Sequence, residues 1–362
     1  MDLGDQNVDD EIRDFICSQT DIEIDKYSDV GCNGELYFGV HKIFKERVAL
    51  KFYHTGKAGL FHKEPQILRK IRHANIIEVL DAKIISGQHA YFLTKEIDGG
   101  DLETYMRNVD LDVFTSLGLA QDILRGLSEM HKDPNRLLHR DIKPNNILVD
   151  NMSTSAIIAD FGSVKYIPSN QTSITASKNS LVYKPCESVT NNEFNCQSDV
   201  YQTGLVLFQL LGGFFPLAIA DWLSKNDYQK ALNISVYFDQ QSFIEKIINN
   251  RIVKGKLINL DSLPHYVDSK LKSIIKKATH PDLNVRYKSA VDFLNSIYKS
   301  DAINWQKNGG DYLASKRNGN QYKITCDSKG FTTEKSVKNN SFRKIGLHVL
   351  SIAEAIELVK KN

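Results

Sequence analysis

The chain has 362 residues, 41% hydrophobic and 25% charged, with a formal net charge of +2, so neither nucleic acid nor an anionic membrane has a general electrostatic hold on it. Its five cysteines, Cys17, Cys32, Cys186, Cys196 and Cys326, include no C-x-x-C pair, which argues against a disulfide framework or a zinc ribbon and fits a reducing, cytoplasmic setting. The longest apolar stretch, Gly204 to Ala220, is broken by Gln209, Gly212, Gly213 and Pro216 and reads as a buried helix and turn, not a membrane span.

In chain order, residues 1–26 read as an acidic leader. Asp2, Asp5, Asp9, Asp10, Glu11 and Asp14 exclude a secretory signal, while Ile12, Phe15 and Ile16 mark one face of a short helix between Val8 and Cys17. Residues 27–97 are strand-rich: Tyr37–Val40, Val48–Tyr53, Ile84–Ile85 and Tyr91–Ile97 are β-branched or aromatic, with one helical pattern from Glu64 to Ile71. Asp98-Gly99-Gly100-Asp101 is a turn signal. From Leu102 to Tyr298 the period is helical, as in Leu117, Ala120, Ile123, Leu124 and Leu127. The texture changes after Ala302. Residues 303–362 predict a small α+β module with strands at Tyr312–Ser315, Tyr322–Thr325, Phe331–Glu334 and Phe342–Ile345. A helix from Ile352 to Val359 follows, with Ser351 and Glu354 as a capping box.

Three segments carry chemistry. His139-Arg140-Asp141-Ile142-Lys143-Pro144-Asn145-Asn146 lies between an apolar helix and the short strand Ile147-Leu148-Val149, on a loop where reactive groups usually sit. Its aspartate can orient a hydroxyl, and the asparagine five residues on can reach a cation. Asp160-Phe161-Gly162 ends an apolar strand, and a carboxylate beside a glycine suits a magnesium ion bridging phosphates. Val48-Ala49-Leu50-Lys51 places a lysine in an apolar strand, where it needs a counter-charge, and Glu64 at the start of the next helix is the natural one.

Together with Ser198-Asp199-Val200-Tyr201, these segments resemble the signature set of eukaryotic-type serine/threonine protein kinases, over residues 27–298. The resemblance implies an α+β, two-lobed fold with a β-rich N-lobe (27–97) and a helical C-lobe (98–300), followed by the module. It implies transfer of the γ-phosphoryl group of ATP to a protein hydroxyl, with ATP and Mg²⁺ required. By the same resemblance Lys51, paired with Glu64, holds the α- and β-phosphates, and Asp141 is the catalytic base. Lys143 neutralises the γ-phosphate, and Asn146 and Asp160 bind Mg²⁺. A lysine two residues after Asp141 matches serine/threonine rather than tyrosine kinases.

Counting back from Lys51 aligns Gly31 and Gly34 with two glycines of the family's phosphate loop, while Asp29 stands where the first would be. Leu36 and Ala49 fall over the adenine, Thr94 at the gatekeeper position, and Glu96 and Ile97 in the hinge, whose backbone would bond the base. Glu187 and Arg286 resemble a buried brace of the C-lobe, Asp199 a brace of the catalytic loop, and Ser180 a hydroxyl contacting Asp141 and Lys143. Thr175 and Ser177 are candidate phosphorylation sites, positioned to pair with Arg140. Residues 303–362 carry 11 Lys/Arg against 5 Asp/Glu. Protein docking or a structural cap accounts for them better than nucleic acid does, because the aromatics fall at strand alternation. The competing functional readings are a pseudokinase acting as a nucleotide-gated scaffold and a small-molecule phosphotransferase. Retention of Lys51, Asp141, Asn146 and Asp160 favours the protein kinase.

Overall fold

The computed structural model describes residues 9–28, 34–54, 63–85, 88–176, 180–338 and 340–362. The N-lobe begins with α1 (Asp10–Ser18) and continues through β1 (Ile22–Ser28), β2 (Leu36–His41), β3 (Glu46–His54), α2 (Lys63–Leu68), β4 (Val79–Ile84) and β5 (His89–Lys95). Its strands form one antiparallel sheet in the order β1-β2-β3-β5-β4. Side chains alternate across β3 because successive residues of a strand point to opposite faces. Leu50 and Phe52, both fully buried, meet α1 and β1 on the outer face through Ile12, Ile22, Tyr37 and Tyr91. Lys51 points to the other face, towards α2.

This arrangement revises the expected leader. The helix predicted around Ile12 forms, but residues 9–28 are built into the lobe. Asp9 caps α1, and Ile22-Glu23-Ile24 opens the edge strand, so a boundary at residue 27 would cut through β1. Pro65 sits in the first turn of α2, where a missing N–H costs no intrahelical bond.

The C-lobe comprises α3 (Leu102–Asn108), α4 (Val113–His131), β6 (Leu137–Leu138), β7 (Ile147–Asp150), β8 (Ser155–Ile158), β9 (Lys165–Tyr166), β10 (Ile174–Thr175), α5 (Cys186–Thr190), β11 (Glu193–Phe194), α6 (Cys196–Leu210), α7 (Lys225–Leu232), α8 (Tyr237–Val253), α9 (Ser269–Ala278) and α10 (Ala290–Tyr298). At the centre α6 is enclosed almost all round, burying the polar Ser198, Asp199, Gln202 and Thr203 along with its apolar residues. Asn195 and Ser198 close a reciprocal capping box at its start. A Cβ at Gly204 would come within 2.8 Å of the Ala278 Cβ, so this glycine sets the approach of α6 to α9.

The C-terminal module has one strand more than expected: β12 (Asn304–Asn308), β13 (Asp311–Ser315), β14 (Asn320–Asp327), β15 (Gly330–Val337) and β16 (Arg343–Val349) form a meander in sequence order, with α11 (Ile352–Lys361) packed on β15 and β16. Asn-Trp-Gln-Lys-Asn in β12 has no β-branched residue to announce a strand. It is held by tertiary contacts: Trp305, 1% exposed, stacks on Tyr266 of the C-lobe, and Asn304 Oδ1 accepts the Phe114 N–H at the start of α4 (2.8 Å). The module's core of Ala314, Tyr322, Ile324, Ala355, Ile356 and Val359 is continuous with that of the C-lobe. As expected from strand alternation, Trp305 and Tyr322 are core residues; Phe342, by contrast, is exposed.

Candidate active site

The cleft between the lobes collects the polar residues singled out from the sequence. From β3, Lys51 Nζ reaches both carboxylate oxygens of Glu64 on α2 (2.9 and 3.1 Å) and Asp160 Oδ1 (3.0 Å). Burial works most strongly against the ammonium's charge, but Glu64 and Asp160 together outweigh it and leave the Lys51 pKa raised. For Asp160 burial is again the largest influence and pushes upward, yet Lys51 prevails and the carboxyl pKa lies below its usual value. Glu64 also accepts the Phe161 N–H on Oε1 at 3.0 Å, so one carboxylate ties β3, α2 and the segment after β8 together.

Asp160 itself adopts a left-handed backbone conformation (φ 55°, ψ 79°) and opens a short 3-10 turn over Phe161–Ser163. Asparagine and aspartate tolerate this region better than other non-glycine residues, and such backbone outliers cluster at functional sites. Phe161 is buried edge-on against the His139 ring, 5.5 Å between centroids.

Across the cleft, the loop after β6 presents Asp141, Lys143 and Asn146. Asn146 Nδ2 donates to the Asp141 carbonyl (2.8 Å) and to Oδ2 (2.9 Å), and Lys143 Nζ lies 2.9 Å from the same Oδ2. Lys143 also donates to Ser180 Oγ at 3.0 Å, one of the two contacts expected for that hydroxyl. Asp141 Oδ1 is buried and has no hydrogen-bond partner among the described residues. A carboxylate oxygen left bare in a polar cleft is costly unless something it serves arrives there.

The backbone of this loop hangs from Asp199, fully buried at the start of α6. Oδ1 accepts the Arg140 N–H (2.8 Å), and Oδ2 accepts the His139 N–H (3.0 Å) and faces His131 Nε2 (2.8 Å). Burial opposes a charge on His131 most strongly, but hydrogen bonds to Asp199 and Cys196 overcome it and raise its pKa to about 10. Gln202, one turn further along α6, accepts the Ile142 N–H (2.9 Å) and donates to the Tyr183 carbonyl (3.2 Å). The sequence reading passed over His131 and Gln202. Their signals were present but faint: a histidine in the last turn of an apolar helix, and a glutamine in an otherwise apolar run.

The remaining expectations fare unevenly. Leu36 pairs with Lys51 across β2 and β3, and Ala49 with Thr94 across β3 and β5, so all four line one stretch of sheet. In the hinge segment, the Glu96 N–H donates to the Arg47 carbonyl (3.1 Å), and the Glu96 side chain pairs with the Arg47 guanidinium (2.6 Å). The Ile97 carbonyl accepts from Gly100 (3.3 Å). Gly34 has φ 146°, and a Cβ there would lie 1.9 Å from the Phe52 carbonyl oxygen, so no other residue fits. Gly31 and Ser177, like Asp29, lie outside the described residues. Thr175 is exposed on β10, and its carbonyl already accepts from Arg140 (3.0 Å), which also bonds the Ser163 carbonyl (3.2 Å). Burial, partly offset by Asp199, depresses the Arg140 pKa. Glu187 and Arg286 form the expected buried pair, bidentate at 2.8 and 3.0 Å, with Ser198 bonding the same carboxylate.

An ion-paired lysine and a left-handed aspartate thus face, across one cleft, a loop that gathers an aspartate, a lysine and an asparagine. Residues 30–298 match the protein kinase domain family, and the chain belongs to it. It is 30% identical over 181 residues to serine/threonine-protein kinase VIK of Arabidopsis thaliana, covering 48% of this chain and 40% of the relative. It is 26% identical over 268 residues to the probable serine/threonine-protein kinase PknB of Lactococcus lactis (73% and 38%). It is also 30% identical over 201 residues to the dual specificity protein kinase shkC of Dictyostelium discoideum (53% and 39%). The match thus spans about two fifths of the length of each of these relatives.

Proposed function

We propose that the chain is an active protein kinase that transfers the γ-phosphoryl group of ATP to serine or threonine hydroxyls of proteins. The observation that carries this reading is Asp141 Oδ1, buried in the cleft with no partner among the described residues while Oδ2 is held by Asn146 and Lys143. In this reading Oδ1 accepts the proton of the substrate hydroxyl as its oxygen bonds the γ-phosphorus and the bond to the β-γ bridging oxygen breaks, releasing ADP. Lys143 balances charge on the transferred group, and Lys51, fixed by Glu64, holds the α- and β-phosphates.

The donor set fits a hard divalent cation. Asp160 offers a carboxylate and Asn146 an amide oxygen whose nitrogen is already committed to Asp141, so both present oxygen to the cleft. Magnesium held there would neutralise charge on the ATP phosphates. For the base, Leu36, Ala49 and Thr94 supply the walls. With the Glu96 N–H and Ile97 carbonyl occupied, the hinge groups left for these residues to offer are the Glu96 carbonyl and the Ile97 N–H.

We assign Thr175 and Ser177 as phosphorylation sites whose phosphates would compete for Arg140, and residues 303–362 as a brace of the C-lobe whose outward face docks a protein partner. No helix among the described residues is long and apolar enough to cross a membrane. Cys17, Cys186, Cys196 and Cys326 are free thiols, which supports placement in a reducing, cytoplasmic compartment.

Radiolabelled ATP with generic protein acceptors, followed by phosphoamino-acid analysis, tests the reading. Asp141→Asn is expected to lower turnover about 10²- to 10⁴-fold, the usual weight of a general base, with nucleotide affinity little changed. Nucleotide binding without transfer in the wild type would convert the assignment to a scaffold, and phosphotyrosine alone would overturn the serine/threonine label.

A further inference from the structure

Outside the cleft, on the outer side of the N-lobe, a second polar cluster joins the start of α1 to the start of β5. Asp9 caps α1 by accepting the Glu11 N–H on Oδ1 (2.9 Å), and its Oδ2 lies 3.8 Å from His89 Nε2. Glu11 Oε2 lies 2.7 Å from His89 Nδ1. One donor atom from each of Asp9, Glu11 and His89 falls within 4.8 Å of the other two. The imidazole is nearly enclosed, 4% exposed, whereas the carboxylates are 42% and 51% exposed. The His54 ring lies against His89, 4.4 Å between centroids. Nothing in phosphoryl transfer uses this cluster.

We propose that Asp9, Glu11 and His89 form a binding site for zinc or a similar borderline divalent cation, which fastens α1 to the sheet. Each ring nitrogen of one buried imidazole faces a carboxylate. A cation held by one ring nitrogen and one carboxylate oxygen from each acid would draw these three donors, already within 4.8 Å of one another, onto a single centre. One imidazole nitrogen with two carboxylate oxygens suits zinc, with bonds of about 2.0–2.2 Å, whereas magnesium and calcium select oxygen alone. The exposed side of the carboxylates leaves room for water to complete the shell.

The cation would close the polar end of an otherwise apolar contact. Ile12, Phe15 and Ile16 of α1 lie on Ile22, Phe52 and Tyr91, with the Phe15 and Phe52 rings 6.0 Å apart. Phe52 directly follows Lys51 on β3, so the helix held by the cation backs the strand that presents the cleft lysine.

The experiment uses the full chain, free of any tag and stripped of metal. Zinc is titrated against thermal unfolding, and cobalt is titrated as a spectroscopic substitute. Asp9→Asn keeps a good helix cap but removes a carboxylate, and Glu11→Gln keeps the hydrogen bond to the ring. Asp160→Asn removes the metal-binding carboxylate of the cleft. Wild type and Asp160→Asn are expected to gain thermal stability with zinc and to develop cobalt absorption in the visible without a sulfur charge-transfer band. Asp9→Asn and Glu11→Gln are expected to lose about tenfold or more in affinity for both ions. Undiminished affinity in these two variants, binding abolished by Asp160→Asn, a sulfur-type cobalt spectrum, or no zinc effect in the wild type would each overturn the site.

Discussion

Asp199 organises more of the cleft than any residue that faces it. Its two oxygens take the backbone of His139 and Arg140 and the ring of His131, and all of this happens out of water. Arg140 is left-handed, φ 73°, a conformation an arginine keeps only when its surroundings hold it. The loop is therefore placed by the core, and Asp141 inherits that placement. The His131 proton is part of the device. Its folded pKa, about 10, is raised above the ordinary 6.5, so the stability it confers is complete below the unfolded value and is lost as pH rises through the folded one. Thermal midpoints of the wild type should fall between roughly pH 7 and 10. His131→Gln, which can still donate to Asp199 but does not titrate, should begin lower and run flatter across the same range. Parallel slopes for the two proteins would show that His131 is neutral throughout.

At the level of elements, two local rules decide what the N-lobe can do. Alternation along β3 sends Lys51 to the cleft and Phe52 to the outer face, so the Lys51–Glu64 pair and the packing of α1 are set by adjacent residues of one strand. Gly34 then lets the chain pass against the Phe52 carbonyl, where any Cβ would collide. The outer face would be a sheet open to solvent if α1 were merely a leader. Because Ile12 is 3% exposed within that contact, Ile12→Ala should destabilise the chain by about 2–5 kcal/mol, the range for deleting a buried aliphatic side chain. Denaturant unfolding measures this, and a change under about 0.5 kcal/mol, the range of an ordinary surface substitution, would return residues 9–18 to the status of a tail.

Across the whole molecule, the basic module is joined to the C-lobe by an apolar seam. Trp305 of β12 lies in that seam against Tyr266, and Asn304 Oδ1 accepts the Phe114 N–H at the start of α4. Trp305→Ala should therefore cost about 3–5 kcal/mol and lower the melting temperature of the kinase domain itself, not only of the module. If calorimetry of the variant shows the module melting early while the rest is unchanged, the two are independent units. The excess of lysine and arginine, read from composition alone, invited ideas of a docking surface. The structure adds that several of these charges serve the fold: Lys335 donates to the Asn362 carbonyl (2.8 Å) and Lys316 to the Lys360 carbonyl (3.3 Å), closing the C-terminal end of α11.

The sequence by itself determined the family, the two lobes and the segments on which the proposed site rests. Lys51, Asp141, Asn146 and Asp160, the proposed phosphoryl-transfer groups, stand in short segments of fixed spacing, and such segments can be read without knowing where the chain returns. Helices with strong apolar periodicity, such as α4 and α6, were equally legible, since one face or all faces must leave water. Only the tertiary structure decided the rest. The strand Asn304–Asn308 carries weak local preference and exists because a neighbour pairs with it, whereas the alternation Ile22-Glu23-Ile24-Asp25 is itself a strand signal hidden in an acidic segment. The Glu96 N–H goes to the Arg47 carbonyl and the His131 ring to Asp199, partners 49 and 68 residues away. Interactions of that range depend on where the chain returns, which no local pattern encodes.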